Sequence, residues 1–248
     1  MLKYKCLIFD LDGTIYFGDK LAESAKEVIE VVRKKCEYVF FLTNNSAKTR
    51  KEIQQKLLSL GINVTEREVV TASYVIAKYL KDNRFKNIYC LGTKSLKQEL
   101  TNSGLNLVTD EPDAIVVGYN KEFKLSDIDE MLNIKLGNNY KIISANKERI
   151  YPSSNGKILS GAGAIVAAVE FVLNQKTDII IGKPNPLMLN LILSGLSIEP
   201  SEVLVIGDSY ESDIKMADEY GAKSILISND NSLNCFTIRS LKDLLEVI

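Results

Sequence analysis

Eight short runs of apolar, β-branched and aromatic residues recur along the 248-residue chain: CLIFDL, YVFFLT, NIYCLG, DAIVVGY, KIISA, DIIIG, EVLVIGD and SILIS. Between them lie stretches of helix length with apolar residues at helical spacing, at 22–35, 47–60, 73–81, 94–103, 126–136, 162–174, 186–194, 212–220 and 240–247. Strands that are apolar throughout are covered on both faces, and strands joined through helices return in the same direction. The alternation therefore predicts α/β architecture, a Rossmann-like parallel sheet core flanked by helices. Gly61, Gly104, Gly195 and Gly221 follow four of the helical stretches, where C-caps are expected. Thr65 to Glu68, TERE, fits a capping box, and the VVTA after it reads equally as a short extended link.

The strand runs that end in acids or hydroxyls fall into two blocks, one before about residue 83 and one after about residue 178. The middle differs: its strands have few polar ends, and KDNRFKN at 81–87 is a polar stretch suited to a hinge. The expected division is a core of 1–83 plus 177–248, with 84–176 as an inserted, smaller α/β domain.

Composition narrows the chemistry. Lys and Arg number 31 against 32 Asp and Glu, a net charge of −1 spread along the chain, which offers no footprint for nucleic acid or an anionic membrane. The longest apolar-rich stretch, 162–173, contains Glu170 and is too short to span a bilayer, and Asp10 and Asp12 break the N-terminal apolar run too early for a signal peptide. The four cysteines are scattered, form no CxxC and sit mostly among apolar residues, as buried thiols in a reducing compartment do. A cytoplasmic protein acting on a small molecule is expected. Histidine is absent, so carboxylates, Lys, Ser, Thr and Tyr must carry any chemistry.

In an open parallel sheet, ligands bind outside the carboxyl ends of the strands. Four strand ends here are polar: Asp10 with Asp12, Thr43-Asn44-Asn45, Lys183, and Asp208 with Asp213. Gly13 permits a sharp turn that brings Asp12 back over Asp10. Two carboxylates so close raise one another's pKa unless a cation lies between them. Asp10 and Asp208, with Asp12 beside them, are the expected metal ligands, and an all-oxygen set favours Mg2+. Thr43 and the N–H groups after it, at a helix expected to start near Ser46 or Ala47, are suited to an anionic oxygen. Lys183, between a strand and a proline-stiffened turn, supplies a fixed ammonium, and Asp213 is placed to orient it or metal-bound water. Taken singly each has a plainer reading: an Asx-turn for the first acids, a capped strand end for Thr43, a solvated lysine, and an N-cap for Asp213.

The four motifs, DLDGT at 10–14 (read from Asp10), LTNNS at 42–46, GKP at 182–184 and GDSYESD at 207–213, resemble in order those of the haloacid dehalogenase-like hydrolases. The resemblance covers almost the whole chain. About 30 residues separate Asp12 from Thr43, too few for a cap, whereas about 140 separate Thr43 from Lys183, as in members whose cap is inserted between the second and third motifs. TNNS, IVVGYN (115–120), Tyr151-Pro152 and SGAGAIVAAVE (160–170) are similar to the NagD-like or p-nitrophenylphosphatase branch. Some members that act on pyridoxal phosphate or phosphoglycolate carry a His where Tyr151 stands.

The resemblance implies a magnesium-dependent phosphatase acting on a small phosphomonoester through an aspartyl-phosphate. Asp10 would attack phosphorus, Asp12 would protonate the leaving oxygen, and Lys183, Thr43, Asn44 and Asn45 would hold the phosphoryl group. Other transfer reactions on the same scaffold, such as a phosphotransferase, and a non-catalytic phosphoryl-accepting switch are the alternatives. A switch domain of this kind needs only about 120 residues and no cap, and it leaves the Gly-Thr after Asp12 unexplained. The loop 146–155, with Tyr151 as its lead contact, is the expected seat of substrate choice, and a homodimer through the cap is the expected protein partner.

Overall fold

The computed structural model describes residues 4–137, 139–152, 157–230 and 232–248. It divides into two compact units, Met1–Thr43, Lys51–Val70 and Lys183–Ile248 in the first, and Asn44–Arg50 and Thr71–Gly182 in the second. All eight runs read as strands are strands, and Gly61, Gly104, Gly195 and Gly221 take the positive φ of helix C-caps.

In the first unit the sheet order is Thr237–Ile238, Lys223–Ile227, Val203–Gly207, Cys6–Asp10, Tyr38–Thr43 and Val69–Thr71. Cys6–Asp10 lies near its middle, parallel to both neighbours, with Phe9 opposite Ile206 and Asp10 opposite Leu42. All five of its residues are buried, which is why the run is apolar on both faces until its last position. Leu7, Phe9, Phe41, Leu204 and Ile206 join the helix Ala25–Arg33 in one apolar core, and the rings of Phe9 and Phe41 stack at 6.1 Å. A small antiparallel hairpin, Tyr16–Phe17 with Lys20–Leu21, follows the first strand.

The second unit carries its own parallel sheet, in the order Ile179–Ile180, Lys141–Ser144, Ala114–Val117, Asn87–Leu91 and Asn106–Leu107. Its core gathers Ile115, Val117, Ile128, Met131, Ile142, Val166 and Val169. A second hairpin pairs Ile150–Pro152 with Ile158–Ser160.

The division differs from the one read in the sequence. The helix Ala72–Asp82 packs on Lys94–Asn102 within the second unit, so the polar stretch 81–87 is an internal connection there, its backbone held by the Asp113 carboxylate, and not a hinge. DIIIG also joins the second sheet, with Ile179 opposite Ile143. Polarity at a strand's end reports what the end does and says nothing about which strand it pairs with. TERE forms a short 3₁₀ turn, Glu66–Glu68, in which Glu68 accepts from the Thr65 N–H, and Val69–Thr71 after it is extended, so both readings of that stretch hold.

Candidate active site

Asp10, Asp12, Thr43, Lys183, Asp208 and Asp213 all belong to the first unit. The central position of Cys6–Asp10 sets Asp10 at the carboxyl edge of the sheet, one strand away from Gly207 and the Asp208 that follows it. Asp10, Asp208 and Asp213 each offer a carboxylate oxygen within 4.8 Å of the others. Two glycines make this approach possible. A Cβ on Gly13, whose φ is +95°, would lie 2.1 Å from Asp208 Oδ2, and one on Gly207 would lie 2.3 Å from Asp213 Cγ. Neither position tolerates a side chain without moving a carboxylate.

Lys183 is the first residue of the chain's return to the first unit, and its strand, Ile179–Ile180, belongs to the other sheet. It was expected at a strand end of the core sheet; it arrives instead on the connection leading back. The ammonium is buried and donates to both Asp10 Oδ1 and Asp213 Oδ1, the latter at 2.7 Å. Asp213 is held in turn: Oδ2 accepts from the Ser209 N–H at 3.1 Å, in a π-helical turn, Tyr210–Ile214, that leads into the helix Lys215–Tyr220. Such turns widen the helix by one residue, and here the widened turn aims Asp213 inward.

The electrostatics are those of too much negative charge in too little water. Burial lifts the Asp10 carboxyl well above its ordinary range, with Lys183 opposing and Asp213 and Asp208 adding to the lift. Asp208 is pushed up to about 6, first by loss of water around it and then by Asp213, although the residue still reaches solvent. Burial alone would lower Lys183, but Asp10 and Asp213 hold its pKa above the usual range. One ammonium faces three carboxylates. A divalent cation among hard oxygen donors relieves that imbalance, so the residues present fit such an ion.

The cluster differs from the expected ligand set of Asp10, Asp12 and Asp208, because Asp213 stands in it and the Asp12 side chain does not. Asp12 is exposed, and its Oδ2 accepts from Thr43 Oγ1 at 3.2 Å and from the Tyr16 hydroxyl at 3.4 Å. Tyr16 is a contact that the sequence reading missed.

Asn44 and Asn45 lie in the second unit. The helix expected near Ser46 begins at Arg50, and the stretch before it is irregular: Asn45 Oδ1 accepts from the N–H groups of Ala47 and Lys48, while Asn44 Nδ2 donates to Glu148 at 2.8 Å. An Asx-type turn takes the place of the first helical turn, because the Asn45 side chain offers the backbone a closer acceptor. Asn146 and Glu148, which hold Asn44 through its carbonyl and its amide, were read only as parts of a loop. Tyr151 also lies in the second unit, its hydroxyl 2.8 Å from that of Tyr119 and the two rings edge to face at 5.7 Å. Residues 153–155 of the expected specificity loop lie outside the described residues. Among the described residues no helix is long and apolar enough to cross a membrane.

Comparison with known proteins places this geometry. A family model described as haloacid dehalogenase-like hydrolase matches residues 7–106, and a HAD-hydrolase-like model matches 180–234, so the two flank most of the second unit. The sugar-phosphatase AraL of Bacillus subtilis is 33% identical over 224 residues, covering 89% of this chain and 82% of that protein. The 4-nitrophenylphosphatase of Thermotoga maritima superposes with a TM-score of 0.89 at 28% identity, over 98% of this chain and 97% of its own. A structure assigned to a NagD protein gives 0.90 at 28% identity over the whole of both chains. On the family match and these likenesses, the chain belongs to the haloacid dehalogenase-like hydrolases, in their NagD-like p-nitrophenylphosphatase branch, and is a phosphoric monoester hydrolase.

Proposed function

We propose that this enzyme hydrolyses small sugar-phosphate monoesters, that it depends on magnesium, and that the reaction passes through a phosphoryl group carried on Asp10. The observation that supports this reading best is the convergence of Asp10, Asp208 and Asp213 within 4.8 Å around the Lys183 ammonium. A magnesium ion held by Asp10 and Asp208, with Asp213 in reach, would supply positive charge for the carboxylates and the phosphoryl oxygens.

The protein's own groups do the rest. Asp10, at a fixed strand end, attacks phosphorus in line with the ester oxygen, and the bond to that oxygen breaks as the new one forms. Asp12, exposed on the turn beyond, gives the departing oxygen a proton and later takes one from the water that hydrolyses the aspartyl-phosphate. Lys183, oriented by Asp213, offsets charge on the transferring oxygens, the largest contribution in reactions of this type. Substrate choice is assigned to the second unit, with the loop 146–155 and Tyr151 the first place to look. Sugar phosphates are put first because the relative AraL is named a sugar-phosphatase.

Phosphate release over a panel of sugar phosphates, nucleotides, phosphoglycolate and p-nitrophenyl phosphate tests this, with Asp10→Asn as the blank. Turnover is expected on one or more sugar phosphates, to vanish in excess chelator and to return with magnesium. Undiminished turnover in chelator would remove the metal from the reading.

A further inference from the structure

The carboxylate of Asp12 is bonded unevenly. Both of its hydrogen bonds among the described residues fall on Oδ2, from Thr43 Oγ1 and the Tyr16 hydroxyl, so Oδ1 is left open on a residue that is itself exposed. Tyr16 itself is only 1% exposed, and among the described residues its hydroxyl has no partner except Asp12. A buried phenol that reaches one acceptor keeps that contact, since losing it strands a polar group away from water. At 3.4 Å the contact is long, as such bonds are before substrate draws the site together.

The backbone fixes the pair as well. The Leu11 carbonyl accepts from Ile15 N–H at 3.0 Å and from Tyr16 N–H at 3.1 Å, while Gly13 N–H donates back to the Tyr16 carbonyl at 2.9 Å. This closed turn sets residue 16 directly beside residue 12. The ring cannot swing away, because it is packed in the first unit's core on one side and covered by the Lys56 ammonium, 3.6 Å from its centroid, on another.

We propose that Tyr16 is a positioning residue for the hydrolysis: with Thr43 it pins Oδ2 of Asp12, so that Oδ1 is the oxygen presented to the leaving group. The proposal rests on the reading of Asp12 as proton donor. Its chemical consequence depends on substrate. A poor leaving group, such as the alkoxide of a sugar, needs a well-aimed donor, whereas p-nitrophenolate departs almost unaided. Tyr16 therefore matters for alkyl esters and much less for the aryl ester.

The test is Tyr16→Phe, which keeps the ring, assayed beside Asp12→Asn and the double variant on p-nitrophenyl phosphate and on the best alkyl phosphate of the panel. Tyr16→Phe is expected to lower kcat on the alkyl ester by about tenfold with KM unchanged, to cost less than about threefold on the aryl ester, and to add nothing once Asp12 is Asn. Equal losses on both esters, or a loss that adds fully in the double variant, overturns the proposal. If Asp12→Asn discriminates between the esters and Tyr16→Phe does not, only the role of Tyr16 falls; if Asp12→Asn lowers both alike, the donor reading falls and takes this one with it. Should Tyr16→Phe fail to fold, Lys56→Met, which takes the ammonium off the ring face but keeps the hydroxyl, carries the test. A two- to threefold loss confined to the alkyl ester is expected, by the same leaving-group argument, and equal loss on both esters overturns the proposal.

Discussion

The two sheets of this protein are built alike and end differently. Both are parallel with helices in their connections, and both have fully buried central strands. Yet the central strands of the first end in Asp10, Thr43 and Gly207-Asp208, while those of the second end in Leu91-Gly92, Val117-Gly118 and Ser144-Ala145. The carboxyl edge of a parallel sheet is a place where chemistry can be set out, and only the residues at that edge decide whether it is. Here one edge carries charge held apart by the narrowest of backbones, and the other carries apolar and small residues.

The sharpest way to break this contrast is at the acid itself. Asp10→Asn should lower phosphate release by at least roughly 10³-fold while the thermal midpoint stays within a few degrees, since the amide keeps the shape and Lys183 keeps Asp213. Turnover like that of the unaltered enzyme would place the nucleophile elsewhere.

Next come the glycines. Gly13→Ala puts a methyl 2.1 Å from Asp208 Oδ2 at a φ of +95°, so both the backbone and the cluster must yield. A loss in kcat of about 10- to 100-fold is expected, since displacement by an ångström is that costly at a reacting centre, together with roughly 1–2 kcal/mol of stability. Kinetics and thermal melts would measure both. The matching change on the other edge should do far less. A Cβ on Gly92 would meet the Cδ2 of Leu96 at 2.6 Å, the end of a side chain that can turn aside. Gly92→Ala should cost on the order of 1 kcal/mol in stability and leave kcat within about twofold. If it harmed kcat as much as Gly13→Ala, the two edges would not be chemically distinct.

Much of this could be read in the sequence, for a physical reason. An acid closing an unbroken apolar run, as Asp10 does after CLIF, cannot be placed there cheaply, so its position announces the strand and its burial together. The same holds for Asp208 after VLVIG. Lys183 was found through its prolines, but the sheet from which it departs was not, because strand pairing depends on residues over thirty positions away, such as Ile143 opposite Ile179. The start of the helix at Arg50 was missed because Asn45 competes for the backbone at Ala47 and Lys48. Tyr16 left no periodic trace: it meets Asp12 around an irregular turn, and no helical or strand spacing points to a pair four apart in such a loop. Asp213 was read as a partner of Lys183, which it is; the widened π-turn that also brings it beside Asp10 and Asp208 is something residue types alone do not signal.

The return of the chain at Lys183 has a consequence for how the molecule is made. The strand Cys6–Asp10 leaves the ribosome long before its neighbour Val203–Gly207. Every residue of the second unit precedes Lys183, so that unit can complete its sheet while the first still lacks a strand beside Cys6–Asp10. Through that interval Asp10 has neither Lys183, 173 positions later, nor the carboxylates beyond it. Until Val203–Gly207 emerges that edge of Cys6–Asp10 stays open to pairing with other chains, and Asp10 acquires its ammonium only once Lys183 has followed the whole of the second unit.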